Sequence, residues 1–476
     1  MKRASGVLMH VSSLWGEYSE GSFGTAAKQW IDFLSDCGFS YWQTLPFCLP
    51  DDCNSPYKSF SAFSVNPFFI DLDILKSKGL ITDGEENDAR QKTPYSCEFT
   101  RLKEQRLSLL RRAAERFDEW DKAEEFFARH AETLLFCRFM ALKTANGMLP
   151  WNEWKTDVLD ASALKTWKFI CYEFFAQWKQ IADYAHSKNI KIIGDIPIYV
   201  AYDSVEVWST PQYFSLDKEK KPVEVAGCPP DAFTADGQLW GNPLYNCEYI
   251  ARDKFRWWVE RIKAASNTYD VVRIDHFRGF ESYYCIPYGA KNAKKGKWRK
   301  GPDMRLFKEV RKQLGDVKII AEDLGFLTKH VVKMLNASGY PGMKVLEFGF
   351  DSDNTNGYLP HNFKTTNSIC YTGTHDNETI LGWIKSCDEK TRSYCKDYLG
   401  VTKDEFVPWA MVRLCWSSVC DTAIAQMQDI LCLDDKARMN TPSTVGTNWK
   451  WRLESFDKLD DTLTERLAKI TAVYGR

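Results

Sequence analysis

The stretch "VVRIDHFRG", Val271 to Gly279, reads as a short core strand that ends in charge. Three of its first four residues are the β-branched type that suits a pleated, buried surface. Arg273 interrupts them, and Asp275 and His276 close the run. Alternate residues of a strand face the same way, so Arg273 and Asp275 share one face while Val272 and Ile274 share the other. An ionised carboxylate buried without partners costs several kcal/mol. Charges at the end of a core strand therefore need a structural or a chemical reason.

The same pattern recurs along the chain. Short apolar runs ending in polar or charged residues are "GVLMHVSS", "FSYWQTLP", "NIKIIGDIP", "YDVVRIDH", "VKIIAEDLG", "MKVLEFGF", "SICYTGTHD" and "KARMNTP". Helical patterns lie between several of them. In "TAAKQWIDFLSDCG", Ala27, Trp30, Ile31 and Leu34 share one face, with Thr25 placed to cap and Gly38 to stop the helix. "KFRWWVERIKAAS" does the same with Phe255, Trp258, Val259 and Ile262. Nearly continuous apolar strands alternating with helices predict a parallel sheet covered by helices, and eight of them predict an α/β fold, the closed (β/α)8 or TIM barrel.

The spacing is uneven. Well over a hundred residues separate "WQTLP" from "NIKIIGD", too many for one crossover. Leu102, Leu109, Leu110, Ala113 and Phe117 there fall on one helical side. The expected plan is one catalytic barrel over 1–476 with a largely helical insertion after strand 2 (47–188). A Pro-, Gly- and aromatic-rich loop follows strand 3 (198–250), and a shorter insertion follows strand 4 (280–305).

A formal net charge of -1 gives no electrostatic footprint for a nucleic-acid or acidic-membrane partner. "KNAKKGKWRKGP" alone could suggest one, and a solvated loop explains it better. No apolar stretch approaches the ~20 residues that cross a bilayer. Fifteen scattered cysteines without a Cys-x-x-Cys pair suit reduced thiols, so a cytoplasmic protein is expected. Aromatics make 14% of the chain, enough to build the core and still line a groove with flat rings.

The barrel active site lies at the carboxyl ends of the strands. Asp195, Arg273 with Asp275, Glu322, and His375 with Asp376 all fall at such ends. An ion-pair network could explain any one of them. Several carboxylates crowded together repel and shift each other's pKa, which a fold tolerates chiefly where chemistry needs it. "GAKNAKKGKW" has the wrong spacing for a phosphate loop, and no Gly-x-Ser-x-Gly elbow occurs. His276 and His375 each lack a second histidine at helical spacing, so neither a metal nor any other cofactor is expected. Carboxylates with an arginine, a histidine and aromatics fit glycosidic-bond chemistry, which needs one ionised and one protonated carboxyl.

"RIDHFRG", "AEDLG" and "TGTHDN", in this order, resemble the α-amylase superfamily. One branch is resembled closely: the 4-α-glucanotransferases, or amylomaltases, of glycoside hydrolase family seventy-seven. "NSPYKSFSAFSVNPFFIDL", "GDIPIYVAYDS", "PPDAF" with "GQLWGNPLY", "MNTPST" with "NWKWR", and "RLAKITAVYGR" carry that likeness from end to end. The resemblance implies α-1,4-glucans and maltooligosaccharides as substrates. It implies Asp275 as nucleophile, Glu322 as general acid/base and Asp376 as the third carboxylate. It also implies Arg273 and His375 as transition-state contacts and Tyr57 as the ring under the reacting glucose. Asp195 and Asn448 become further contacts, with Trp240 and Asn242 in the glucan loop. The chain departs from the family pattern in "FCLPDDCNSPY" and at Cys228, Asp236, Glu378 and Thr447. An α-glucan hydrolase on the same barrel and a non-catalytic glucan-binding protein are the competing readings.

Overall fold

Twelve strands form two sheets among the described residues. They are β1 (Ala4–Leu8), β2 (Tyr41–Gln43), β3 (Lys191–Ile196), β4 (Glu224–Cys228), β5 (Gln238–Pro243) and β6 (Val271–Ile274). β7 (Ser282–Pro287), β8 (Lys297–Lys300), β9 (Ile319–Ala321), β10 (Gly342–Val345), β11 (Ser368–Tyr371) and β12 (Thr422–Gln426) complete them. The computed structural model describes every residue except 1–2, 51–52, 92, 94, 231–234 and 326. Part of "PPDAF" and the aspartates of "FCLPDDCNSPY" therefore lie outside the described residues.

The larger sheet is parallel throughout, in the order β10-β11-β12-β1-β2-β3-β6-β9. Ala321 at the end of β9 donates its backbone N–H to the carbonyl of Pro341, just before β10, at 3.0 Å. That contact joins the two ends, and the eight strands circle in chain order as a (β/α)8 barrel. Val272 and Ile274 are fully buried, as the strand reading required. Gly194 lies where any side chain would meet the Tyr269 ring at 2.2 Å, so β3 can press against the residue that ends the helix Arg256–Thr268.

The eighth barrel strand is not where the sequence pattern put it. "KARMNTP" begins within a short helical turn, Asp435–Ala437, and continues as loop, while β12 is "TAIAQ". Its alanines and Gln426 carry little strand propensity, yet every residue of β12 is buried. Packing inside the barrel overrides local preference there.

The long helix Ala161–Ser187, capped by Asp160 accepting from the Ala163 N–H at 2.8 Å, precedes β3. Tyr184 donates to Asp32 of the helix Thr25–Asp36 at 2.8 Å, and Trp178 Nε1 donates to the Thr268 carbonyl at 3.1 Å. It thus stands in the barrel's outer ring between those two helices. The helices Leu107–Arg116 and Ala131–Ala145 pack on it, with Leu109, Leu110, Ala113, Phe136 and Phe139 buried.

The second sheet is antiparallel, in the order β5-β4-β7-β8. β4 and β5 follow barrel strand β3, and β7 and β8 follow β6, so two separate loops share one sheet beside the barrel mouth. Asp236 pairs with Lys294 at 2.5 Å and adds a tie between those loops. None of the fifteen cysteines is joined in a disulfide. Among the described residues no helix is long and apolar enough to cross a membrane.

Candidate active site

Register builds the centre of the site. In the parallel pair β3–β6, Asp195 lies opposite Arg273. The Arg273 guanidinium donates from Nη1 to Asp195 Oδ2 at 2.5 Å and to Asp275 Oδ1 at 3.2 Å. Asp195 and Arg273 are buried, at 2% and 3% exposure. Asp275 stands one step past β6, held by its N–H on the Ile196 carbonyl, with its side chain 31% exposed to the groove.

Glu322 follows β9 and is tied back to β6. Its N–H donates to the Ile274 carbonyl at 3.1 Å, and its carboxylate accepts from the N–H groups of His276 (2.7 Å) and Leu324 (2.8 Å). His276 takes a left-handed backbone, φ 48°, an unusual conformation for a residue with a side chain that aims its N–H at Glu322. Trp240 of β5 sets its ring edge-on to His276 at 4.9 Å, so the glucan loop reaches the same turn.

The loop after β11 carries His375 and Asp376. Asn377 pins it, accepting from the N–H and hydroxyl of Thr374 and donating to Glu347 Oε1 at 3.0 Å. His375 is buried and its ring stacks on Tyr57 with centroids 5.0 Å apart. The Tyr57 hydroxyl donates to Asp195 Oδ2 at 2.8 Å, closing a chain Tyr57–Asp195–Arg273–Asp275.

Burial dominates the electrostatics. It pushes Asp275 up to about 8; Arg273 opposes it, and Asp195, Glu322 and Asp376 add to it. Burial also raises Glu322, against Arg273 and its two backbone donors. Arg273 alone thus does not hold Asp275 at an ordinary carboxylate value. One guanidinium shared between Asp195 and Asp275 cannot offset desolvation and three neighbouring carboxylates. Burial lowers His375 as well, so its imidazole is neutral at pH 7. Burial therefore favours the protonated form of both carboxyls, so Asp275 and Glu322 together hold a proton to higher pH than ordinary carboxylates do.

The remaining sequence candidates divide. Asn242 donates from Nδ2 to the Val200 carbonyl at 2.9 Å and ties β5 to the chain after β3. Asn448 is 7% exposed and its amide is spent within its own loop, accepting from the Thr441 N–H at 3.0 Å and donating to the Thr444 carbonyl at 3.0 Å. Thr447, beside it, is exposed. Sequence reading passed over Arg438 and Asn440, whose hydrogen bonds reach the backbone and carboxylate of Asp376. Among the described residues no group of three or more His, Cys, Asp or Glu is placed to hold a metal ion.

A (β/α)8 barrel with three carboxylates, an arginine and a neutral histidine at the carboxyl ends of its strands is the arrangement that glycosidic-bond chemistry needs. Residues 9–458 match the 4-alpha-glucanotransferase family. The 4-alpha-glucanotransferase of Clostridium butyricum is 45% identical across 98% of this chain and 100% of its own length. That of Streptococcus pneumoniae is 43% identical across 100% and 98%. The structure of an amylomaltase from Streptococcus agalactiae in complex with acarbose superposes with a TM-score of 0.96 at 38% identity, covering 100% of both chains. The chain belongs to the 4-alpha-glucanotransferase family, glycoside hydrolase family seventy-seven.

Proposed function

We propose that the protein moves a segment of a (1→4)-α-D-glucan to the 4-hydroxyl of an acceptor glucan or glucose in two displacements. Glu322, carrying the shared proton, protonates the glycosidic oxygen of the donor as Asp275 attacks the anomeric carbon from the opposite face. The bond to the leaving sugar breaks, and a covalent glucosyl–Asp275 intermediate forms. Glu322, now ionised, takes the proton of the acceptor's 4-hydroxyl, whose oxygen attacks the same carbon and releases Asp275. Two inversions retain the anomeric configuration. Asp376 takes sugar hydroxyls beside the reacting bond, Arg273 and His375 contact the transition state, and Tyr57 offers its ring to the reacting glucose. Asp195 and Trp240 act beside them, and Asn242 and Asn448 hold the loops that frame the groove. Fifteen cysteines outside any disulfide support a reducing, cytoplasmic setting.

The observation that carries this reading is the chain Tyr57–Asp195–Arg273–Asp275 next to a Glu322 fixed by two backbone N–H groups. Water at ~55 M competes for the intermediate, and transfer wins if an acceptor is held in line, where effective concentrations reach ~10^5 M or more. Incubation with maltotriose alone tests it. Transfer yields glucose plus a ladder of longer maltooligosaccharides with little change in total reducing ends. A rise in reducing ends that tracks donor consumption would leave a hydrolase on the same barrel.

A further inference from the structure

We propose that Asn440 is a positioning residue for the reaction: it fixes the rotation of Asp376 so that one carboxylate oxygen is left to accept from a sugar hydroxyl. The proposal rests on the reading of Asp376 given above. Asp376 lies within the loop after β11 and its side chain is 47% exposed, so burial alone does not select its rotamer. Asn440 supplies that selection. Its Nδ2 donates to Asp376 Oδ1 at 2.6 Å, while Oδ2 stays on the side of His375, 3.4 Å from Nε2. The carboxylate accepts only, which assigns the donating end of the amide.

The backbone makes this arm rigid. The Asn440 N–H donates to the His375 carbonyl at 3.0 Å. Arg438 Nη2 donates to the Asp376 carbonyl at 2.8 Å, and Arg438 Nε to the Asn440 carbonyl at 2.9 Å. Residues 438–440 therefore grip the backbone of both His375 and Asp376 and one carboxylate oxygen. Glu378 faces this clamp: its carboxylate accepts from the Ser386 hydroxyl at 3.2 Å and reaches to 4.0 Å from Arg438. An amide suits the role because it donates without bringing charge. A second carboxylate at that place would repel Asp376.

Two substitutions of Asn440, each made alone and in an Asp376→Ala background, test this by kcat/KM for maltotriose disproportionation, with a thermal scan of each protein. Asn440→Ala should lose roughly 10- to 100-fold, the size expected when a reacting partner is misplaced by about an ångström. Asn440→Asp, the same shape, should lose more than Asn440→Ala, the opposite of the order that packing alone predicts. In an Asp376→Ala background, both Asn440 changes should add less than about twofold, because their target is gone. If Asn440→Ala proves thermally unstable, the isosteric Asn440→Asp series decides the matter. Asn440→Asp within about twofold of the parent, or equal losses with and without Asp376, overturns the proposal. An Asp376→Ala protein as active as the parent instead overturns the role given to Asp376.

Discussion

Replacing Asp275 by asparagine should abolish transfer and at the same time make the protein harder to melt. Burial raises this carboxyl from an ordinary 3.8 to about 8, so the folded chain binds its proton more tightly than the unfolded chain does. The sign follows by linkage: the group destabilises the fold increasingly as pH climbs from about 4 to about 8, and its effect is constant above that. At pH 7 the part of the shift already expressed amounts to about 4 kcal/mol, from roughly three pH units above the unfolded value at 1.36 kcal/mol each. The side chain is 31% exposed, and water in the groove screens it, so about 1–2 kcal/mol is the working figure. An unfolding entropy of ~2.1 cal/mol/K per residue over 476 residues gives about 1 kcal/mol/K. Asp275→Asn should therefore melt about 1–2 °C above the parent near pH 8, with the gap shrinking to a few tenths of a degree near pH 5. Calorimetric scans of both proteins at matched ionic strength across that range supply the measurement. A variant that melts below the parent near pH 8, or a gap that ignores pH, would show Asp275 to be an ordinary stabilising partner of Arg273.

Two further outcomes follow from the same pair. Asp275→Ala should regain part of its turnover with azide and give product of inverted configuration, whereas Glu322→Ala should keep activity on α-glucosyl fluoride, which needs no protonation; equal behaviour of the two variants with that donor would undo the assignment of roles. The pH profile of kcat/KM should be a bell whose alkaline limb lies near 8, where the pair gives up its last proton, and both limbs belong to the pair rather than to either residue; activity undiminished from about pH 8 to about pH 10 would contradict it.

The carboxylates near the strand ends were legible because strand period and barrel geometry are local rules: Asp275 and Glu322 directly follow β6 and β9, and Asp376 lies in the loop that follows β11. The missing pieces depend on packing across the fold. Three of the five residues of β12 are alanine or glutamine, and its place between β11 and β1 makes it a strand. The sheet β5-β4-β7-β8 joins two loops that the sequence keeps apart, and no period in either announces the other. Asn440 sits in a segment read as strand, 64 positions from the carboxylate it holds.

The pairing of Asp195 with Arg273 shows why such facts escape a linear reading and still govern the chemistry. They are 78 positions apart and become neighbours through the parallel register of β3 and β6. That register is set by the shear that closes the barrel, not by either strand alone. Once it is set, Arg273 must serve two acids from one side, and its contact with buried Asp195 is shorter than that with Asp275. Asp275 is thus left with a longer, weaker hold on the guanidinium and a pKa that burial can raise. In the proposed mechanism the strength of that hold sets how readily Asp275 ionises to attack. Lengthening or shortening the contact through Asp195 should therefore tune the reaction without touching a group that meets the reacting carbon.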